Sequence, residues 1–244
     1  MPNDDLLKVL FDTKIELEKT INLSHNEIQE EALAYFKKNK KRIFETFIEN
    51  KEDKNRLYLS AGASGAGKSE FIKSLNKIEN LNIIDTDEIR KLFPYYSGEN
   101  ADLFQRASIK TVEYIIDNSF KHNYSFILDT NLANLSVATK NIERALRREY
   151  SVEVFFIYRN YEDCKELTKI REKNEARKVP DEVFNKKAIG SLQTFYDLTL
   201  KYKNNSNVTL SIIDLDKNKI INDKSLIIDR LNIYKDSLDK YLSS

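Results

Sequence analysis

From residue 57 onward, short apolar runs alternate with longer segments in which apolar residues recur every three or four positions. That alternation predicts strands interleaved with helices. The runs at 57–59, 81–84, 125–128, 152–157 and 208–215 read as strands. The run 152–157, VEVFFI, is nearly all apolar, so it belongs at the centre of a sheet covered on both faces. Helical spacing over 70–79, 88–92, 102–121, 135–149, 161–177 and 182–202 supplies the connections, with Pro94 and Pro180 as breaks. Residues 216–221 read as a turn into a short return strand, and 226–242 as a closing amphipathic helix. The predicted fold class is α/β, a three-layer sandwich around a mostly parallel sheet.

Before residue 57 the pattern is helical throughout. Leu6, Leu7, Leu10 and Phe11 share a helical face, and Ser24 followed by Glu27 is a capping-box signal. Ile28, Leu33, Phe36, Ile43, Phe44, Phe47 and Ile48 then form an apolar stripe among lysines and glutamates, expected to pack on the strand-containing part. A charged linker follows at 49–54. The expected division is a helical extension over 1–56, an α/β domain over 57–221, and a C-terminal helix within 222–244 packed on it. No internal repeat or low-complexity tract interrupts this.

Composition narrows the picture. A chain of 244 residues can bury a substantial core. Its formal charge of +1 carries no strongly basic field, which weighs against a long nucleic-acid duplex as partner. The single cysteine, Cys164, excludes a disulfide within the chain. The N-terminus is acidic where a signal peptide is basic, and no stretch approaches the roughly 18 apolar residues of a membrane span. The sequence therefore predicts a cytoplasmic protein without a membrane partner.

The chemistry concentrates after the first strand, in Gly62-Ala63-Ser64-Gly65-Ala66-Gly67-Lys68-Ser69. Three of the five glycines in the chain fall in these eight residues. A loop that wraps phosphates must turn its backbone N–H groups inward, and the following helix N-terminus adds positive potential. Lys68 can reach the β- and γ-phosphates and Ser69 can ligate Mg²⁺, so ATP and Mg²⁺ are the expected cofactors of a P-loop NTPase-type domain. Asp87, after the second strand, is a candidate base for an acceptor hydroxyl, or else a helix cap; Arg90, one turn on, can hold an anionic substrate. Asp129 ends the strand SFILD in the position of an acid that holds Mg²⁺ through water or contacts substrate, and the polar Thr130 and Asn131 follow it. Arg171 and Arg177, within KIREKNEARKVP, are candidates for a lid that neutralises charge on the transferred phosphoryl group. Their bland alternative is a solvated, salt-bridged helix face.

Taken together, GASGAGKS, IIDTDEIR, ILDTN and REKNEARKVP resemble the zeta-toxin family of P-loop kinases, over residues 57–221. The resemblance implies ATP-dependent phosphorylation of a sugar hydroxyl of UDP-N-acetylglucosamine, and a small helical antitoxin protein as partner. It implies nucleotide roles for Lys68 and Ser69, Asp87 as the base, and Arg171 and Arg177 as lid arginines. It also draws in Glu113, which matches a family acidic residue on the helix before the third strand. Asp129 stands where the family usually has glutamate and Asn131 where it has a substrate-contacting threonine, so the resemblance implies an altered sugar pocket. The spacing between Arg171 and Arg177 is shorter than in the best-known members. Asp87-Glu-Ile-Arg90 also resembles the acid-x-x-Arg arrangement of polynucleotide 5′-kinases, which keeps a nucleic-acid end or nucleoside as an alternative acceptor. An antibiotic or other small-molecule hydroxyl, and a non-enzymatic ATP-dependent switch, are the remaining alternatives.

Overall fold

The computed structural model describes residues 4–18, 23–49, 54–175 and 179–243. Two helices, α1 (Asp4–Glu18) and α2 (His25–Phe47), precede the first strand. Ser24 caps α2 with both halves of a capping box: its hydroxyl accepts the Glu27 N–H, and Glu27 Oε2 accepts the Ser24 N–H at 2.8 Å. Then come β1 (Arg56–Ala61), α3 (Lys68–Glu79), β2 (Asn82–Asp85), α4 (Thr86–Lys91), a 3-10 turn (Ala101–Phe104) and α5 (Gln105–Lys121). The chain continues through β3 (Phe126–Asp129), α6 (Leu135–Leu146), β4 (Ser151–Tyr158), α7 (Tyr161–Glu175), α8 (Asp181–Lys201), β5 (Val208–Asp214), β6 (Lys219–Ile221) and α9 (Lys224–Ser243).

The strands form one sheet in the order β2-β3-β1-β4-β5-β6, parallel except for β6, which runs antiparallel to β5. The α/β expectation holds, including the return strand and the central place of VEVFFI, which lies in β4 between β1 and β5. Helices cover both faces, so Leu57, Leu59, Val152, Val154, Phe156 and Ile212 are almost wholly buried. The N-terminal helices join the same core. Leu10, Ala32, Ile43 and Phe47 are buried in it, and Tyr114 of α5 meets Phe36 and Phe44 edge-on at 6.1 and 6.4 Å. On the other flank, α9 is tied to the end of β5 by a hydrogen bond from Tyr234 to the buried Asp214 carboxylate at 2.6 Å.

Strand register decides which groups meet. Leu59 stands beside Leu128 and Asp85 beside Asp129, so the ends of β1, β2 and β3 open together on one edge. Parallel strands that end level place their following loops over a common crevice. The helices linking them return antiparallel to the strands and carry the chain back to the opposite edge.

Candidate active site

β1 delivers the chain into 62–67, and Gly67 starts α3 with Lys68 as its first helical residue. The loop is packed against α7 closely enough that one position admits no side chain: Gly65 has φ of +77°, and a Cβ there would overlap the Cys164 carbonyl. Ala63 and Ala66 are buried, while Ser64 is half-buried. The Lys68 ammonium folds back into the loop and donates to the carbonyl oxygens of Gly62 at 3.1 Å and Ala63 at 2.8 Å. Burial pushes it down to about 8, opposed by the negative charge of Asp129. A cation held over a turn of backbone N–H groups at a helix N-terminus fits a chain of phosphates.

Asp129 faces this cation from the neighbouring strand. Ser69 donates to its Oδ2 at 3.3 Å, and Ser60 of β1 lies 3.2 Å from its Oδ1 while accepting the Thr130 N–H at 3.0 Å. Burial raises the Asp129 carboxyl, and Lys68 with the two serine hydroxyls holds it down. Among the described residues no cluster of three or more His, Cys, Asp or Glu could hold a metal by itself. Ser69 and Asp129 supply two hard oxygens, which suits Mg²⁺ completed by phosphate oxygens and water.

In the acidic turn after β2, the alternative reading of Asp87 as the cap of the next helix does not hold. Asp85 is the cap, its Oδ1 accepting the Asp87 N–H at 2.7 Å, and Asp87 sits in the first turn of α4. That leaves the Asp87 side chain 45% exposed and paired with Arg90 at 2.5 Å. Arg90 is mostly buried and donates its other terminal nitrogen to Gln105 Oε1 at 3.0 Å.

Asp85 is pushed up to about 7, first by burial and then by the charges of Asp129 and Asp87. A carboxyl raised in the fold keeps its proton where the unfolded chain has lost it. Its ionisation therefore costs no stability below about pH 4, an increasing amount as pH rises from there toward 7, and the full amount above. Asp85→Asn retains a cap acceptor without the charge. It is expected to melt with the parent at pH 4 and to gain about 1–4 kcal/mol at pH 8, read as a higher Tm in metal-free buffer. An equal difference at both pH values would remove the charge from the explanation.

A cavity of about 190 Å³ opens beside Asp129, between α5, α6 and the ends of the first three strands. Leu59, Ile84, Val112, Ile116 and Val137 give it apolar walls, and Thr86, Asp129, Thr130, Asn134 and Asn141 its polar groups. Asn131, half-buried in the loop after β3, is not among its lining residues, and Asn134 caps α6. Glu113 is exposed on α5, in a groove of about 450 Å³ shared with Gln29, Gln105, Arg106 and Lys110. The structure thus gathers Lys68, Ser69, Asp129, Asp87 and Arg90 at one edge, and places Glu113 in a groove that meets Arg90 through Gln105. Arg171 pairs with Glu70 Oε1, in the first turn of α3, at 2.8 Å, and its charge bears on Lys68. Arg177 lies outside the described residues.

The sequence reading missed several groups here. Ser60 ties β1 to the Asp129 turn, and Ser191 of α8 accepts the Gly62 N–H at 2.6 Å. Gly67 is flanked on the β4–β5 side by Leu215 and by the Arg159 guanidinium, 3.0 and 3.7 Å from where its Cβ would stand. Only Ser60 left a local signal, as the one small polar residue in the otherwise apolar run LYLSA.

Among solved structures, a chain of the PezAT chromosomal toxin–antitoxin system of Streptococcus pneumoniae aligns with a TM-score of 0.66 at 17% identity, over 84% of this chain and 95% of that one. A chain of the AvrRxo1-ORF1:-ORF2 complex with ATP aligns at 0.58 and 10% identity, over 85% and 70%. At these identities the likeness is one of fold. No curated protein matches. The Zeta toxin family model matches residues 24–225, from the cap of α2 through the phosphate loop to the first turn of α9, and the chain belongs to that family.

Proposed function

We propose that this protein is an ATP-dependent kinase that moves the γ-phosphoryl group to a hydroxyl of a small acceptor, a nucleotide sugar of the UDP-N-acetylglucosamine type. The observation that carries the reading is the meeting of Lys68, Ser69 and Asp129 with the exposed Asp87 carboxylate at one sheet edge. In the reaction, the acceptor oxygen bonds to the γ-phosphorus as the bond from that phosphorus to the β–γ bridging oxygen breaks. The electron pair leaves on ADP, and the hydroxyl proton passes to Asp87. A Mg²⁺ ion held by Ser69 and Asp129 would neutralise phosphate charge. Lys68 binds the phosphates, and Arg171 with Arg177 would close over them.

Family membership supports an acceptor of this class, and the likeness to a toxin–antitoxin protein supports a toxin held inactive by a small helical antitoxin. The described helices include none long and apolar enough to cross a membrane. The test is transfer from [γ-³²P]ATP to a panel of UDP-N-acetylglucosamine, nucleosides, oligonucleotide 5′-ends and aminoglycoside-type alcohols, with products identified by mass spectrometry. Label on the sugar is the expected result. Label on a 5′-end instead would make the Asp87–Arg90 pair a grip for a nucleic-acid acceptor, and no transfer to any member would sink the kinase reading.

A further inference from the structure

α8 is pinned to both walls of the crevice by two adjacent residues. Ser191 accepts the N–H of Gly62, at the entrance of the phosphate loop. Gly190 lies against the loop after β3, where a Cβ would stand 2.7 Å from the Ala133 carbonyl oxygen, so the helix backbone itself makes that approach. Residues three and four positions earlier cover the same helix face one turn away. Lys187 meets both spacings, being three before Gly190 and four before Ser191. Because α8 leads down into β5, its N-terminal direction points past the ends of the strands, and Lys187 stands about 6 Å along the helix from the Ser191 contact.

Its surroundings differ from those of an ordinary surface lysine. Phe184, Ala188, Leu192 and Phe195 form the buried face of α8, and Lys187 lies half-buried at its border, whereas the adjacent Lys186 is exposed.

We propose that Lys187 is a catalytic cation, its ammonium contacting the oxygens of the γ-phosphoryl group as that group passes from ATP to the acceptor. The inference rests on the kinase reading above. As the bridging P–O bond breaks and its electron pair moves onto ADP, charge shifts along the line between the loop and the acceptor. A cation carried there by a helix anchored on both walls stabilises that shift without first having to reorient. Arg171 of α7 pairs with Glu70 in the first turn of α3, so a second helix brings positive charge beside the loop.

The test needs no acceptor. Binding of MgADP is measured with and without aluminium fluoride, a mimic of the transferring phosphoryl group, for the parent, Lys187→Ala, Lys187→Arg and Lys186→Ala. Lys187→Ala is expected to bind MgADP within about two-fold of the parent, yet lose ~10-fold or more of the tightening by aluminium fluoride. Lys187→Arg should restore most of it and Lys186→Ala should match the parent. If Lys187→Ala proves unfolded by its melting curve, Lys187→Met, which keeps the stem, carries the same comparison. Full tightening in a folded Lys187→Ala or Lys187→Met protein would overturn the inference, as would an equal loss with and without aluminium fluoride. A parent protein that shows no tightening would overturn the kinase reading itself and the inference with it, an outcome distinct from the other two.

Discussion

Lys68→Ala is expected to lower ATP-dependent transfer by ~10³-fold while leaving the fold intact. The ammonium sits inside the loop on two carbonyl oxygens and faces the Asp129 carboxylate, so it is placed where phosphate charge arrives. Removing it also removes a desolvated charge. Burial depresses this lysine to about 8, so below that pH the ammonium costs folding energy, a cost relieved as pH rises from about 8 toward the ordinary lysine value. Loss of two hydrogen bonds opposes that relief. The Tm at pH 7 should therefore shift by no more than about 2 °C, as the two effects offset each other. Turnover near the parent value would remove the loop from the mechanism. Lost turnover accompanied by a collapsed melting curve would assign Lys68 to the scaffold instead.

How far this site was legible follows from how local each signal is. The phosphate loop and the strand VEVFFI are contiguous patterns, and each appears where it was read. The turn Asp85-Thr86-Asp87 was harder, because either aspartate suits a helix cap. The choice falls to Asp85 because strand pairing continues to it, opposite Asp129, and the helix begins directly afterwards. α3 likewise starts at Lys68 rather than at residue 70, since Gly67 begins the helix within the motif itself. The placement of Glu113 could have been anticipated from spacing. Ala107, Thr111 and Ile115 recur every fourth residue as the buried face of α5, which turns position 113 outward. Ser191 and Lys187 belong to the other extreme. Some 120 residues separate them from the phosphate loop, and only packing of α8 against Gly62 and Ala133 brings them near. No local pattern encodes such a meeting.

The second large effect is expected at Asp87, where Asp87→Asn should lower kcat by about 10²–10⁴-fold with KM for ATP little changed. Asparagine keeps the size of the side chain and an oxygen for Arg90, but cannot take a proton from an acceptor hydroxyl. The fold should tolerate the change. The cap of α4 uses the Asp87 backbone N–H and the Asp85 side chain, neither of which the substitution touches. What is lost is charge pairing with Arg90, which is mostly buried and retains Gln105 as a partner, so a destabilisation of about 1–3 kcal/mol is the most that should appear. Arg90→Gln separates the two roles. It removes the cation and leaves the carboxylate, so it should weaken acceptor binding or positioning far more than it weakens proton removal. If Asp87→Asn instead raised KM for ATP and spared kcat, Asp87 would be a binding group for the nucleotide, and the base would have to be sought among the polar groups around the cavity beside Asp129. The carboxylate follows β2, next to β3 and away from Leu215 and Arg159 on the β4–β5 side, and on the proposed reading that is where an acceptor would meet the γ-phosphoryl group.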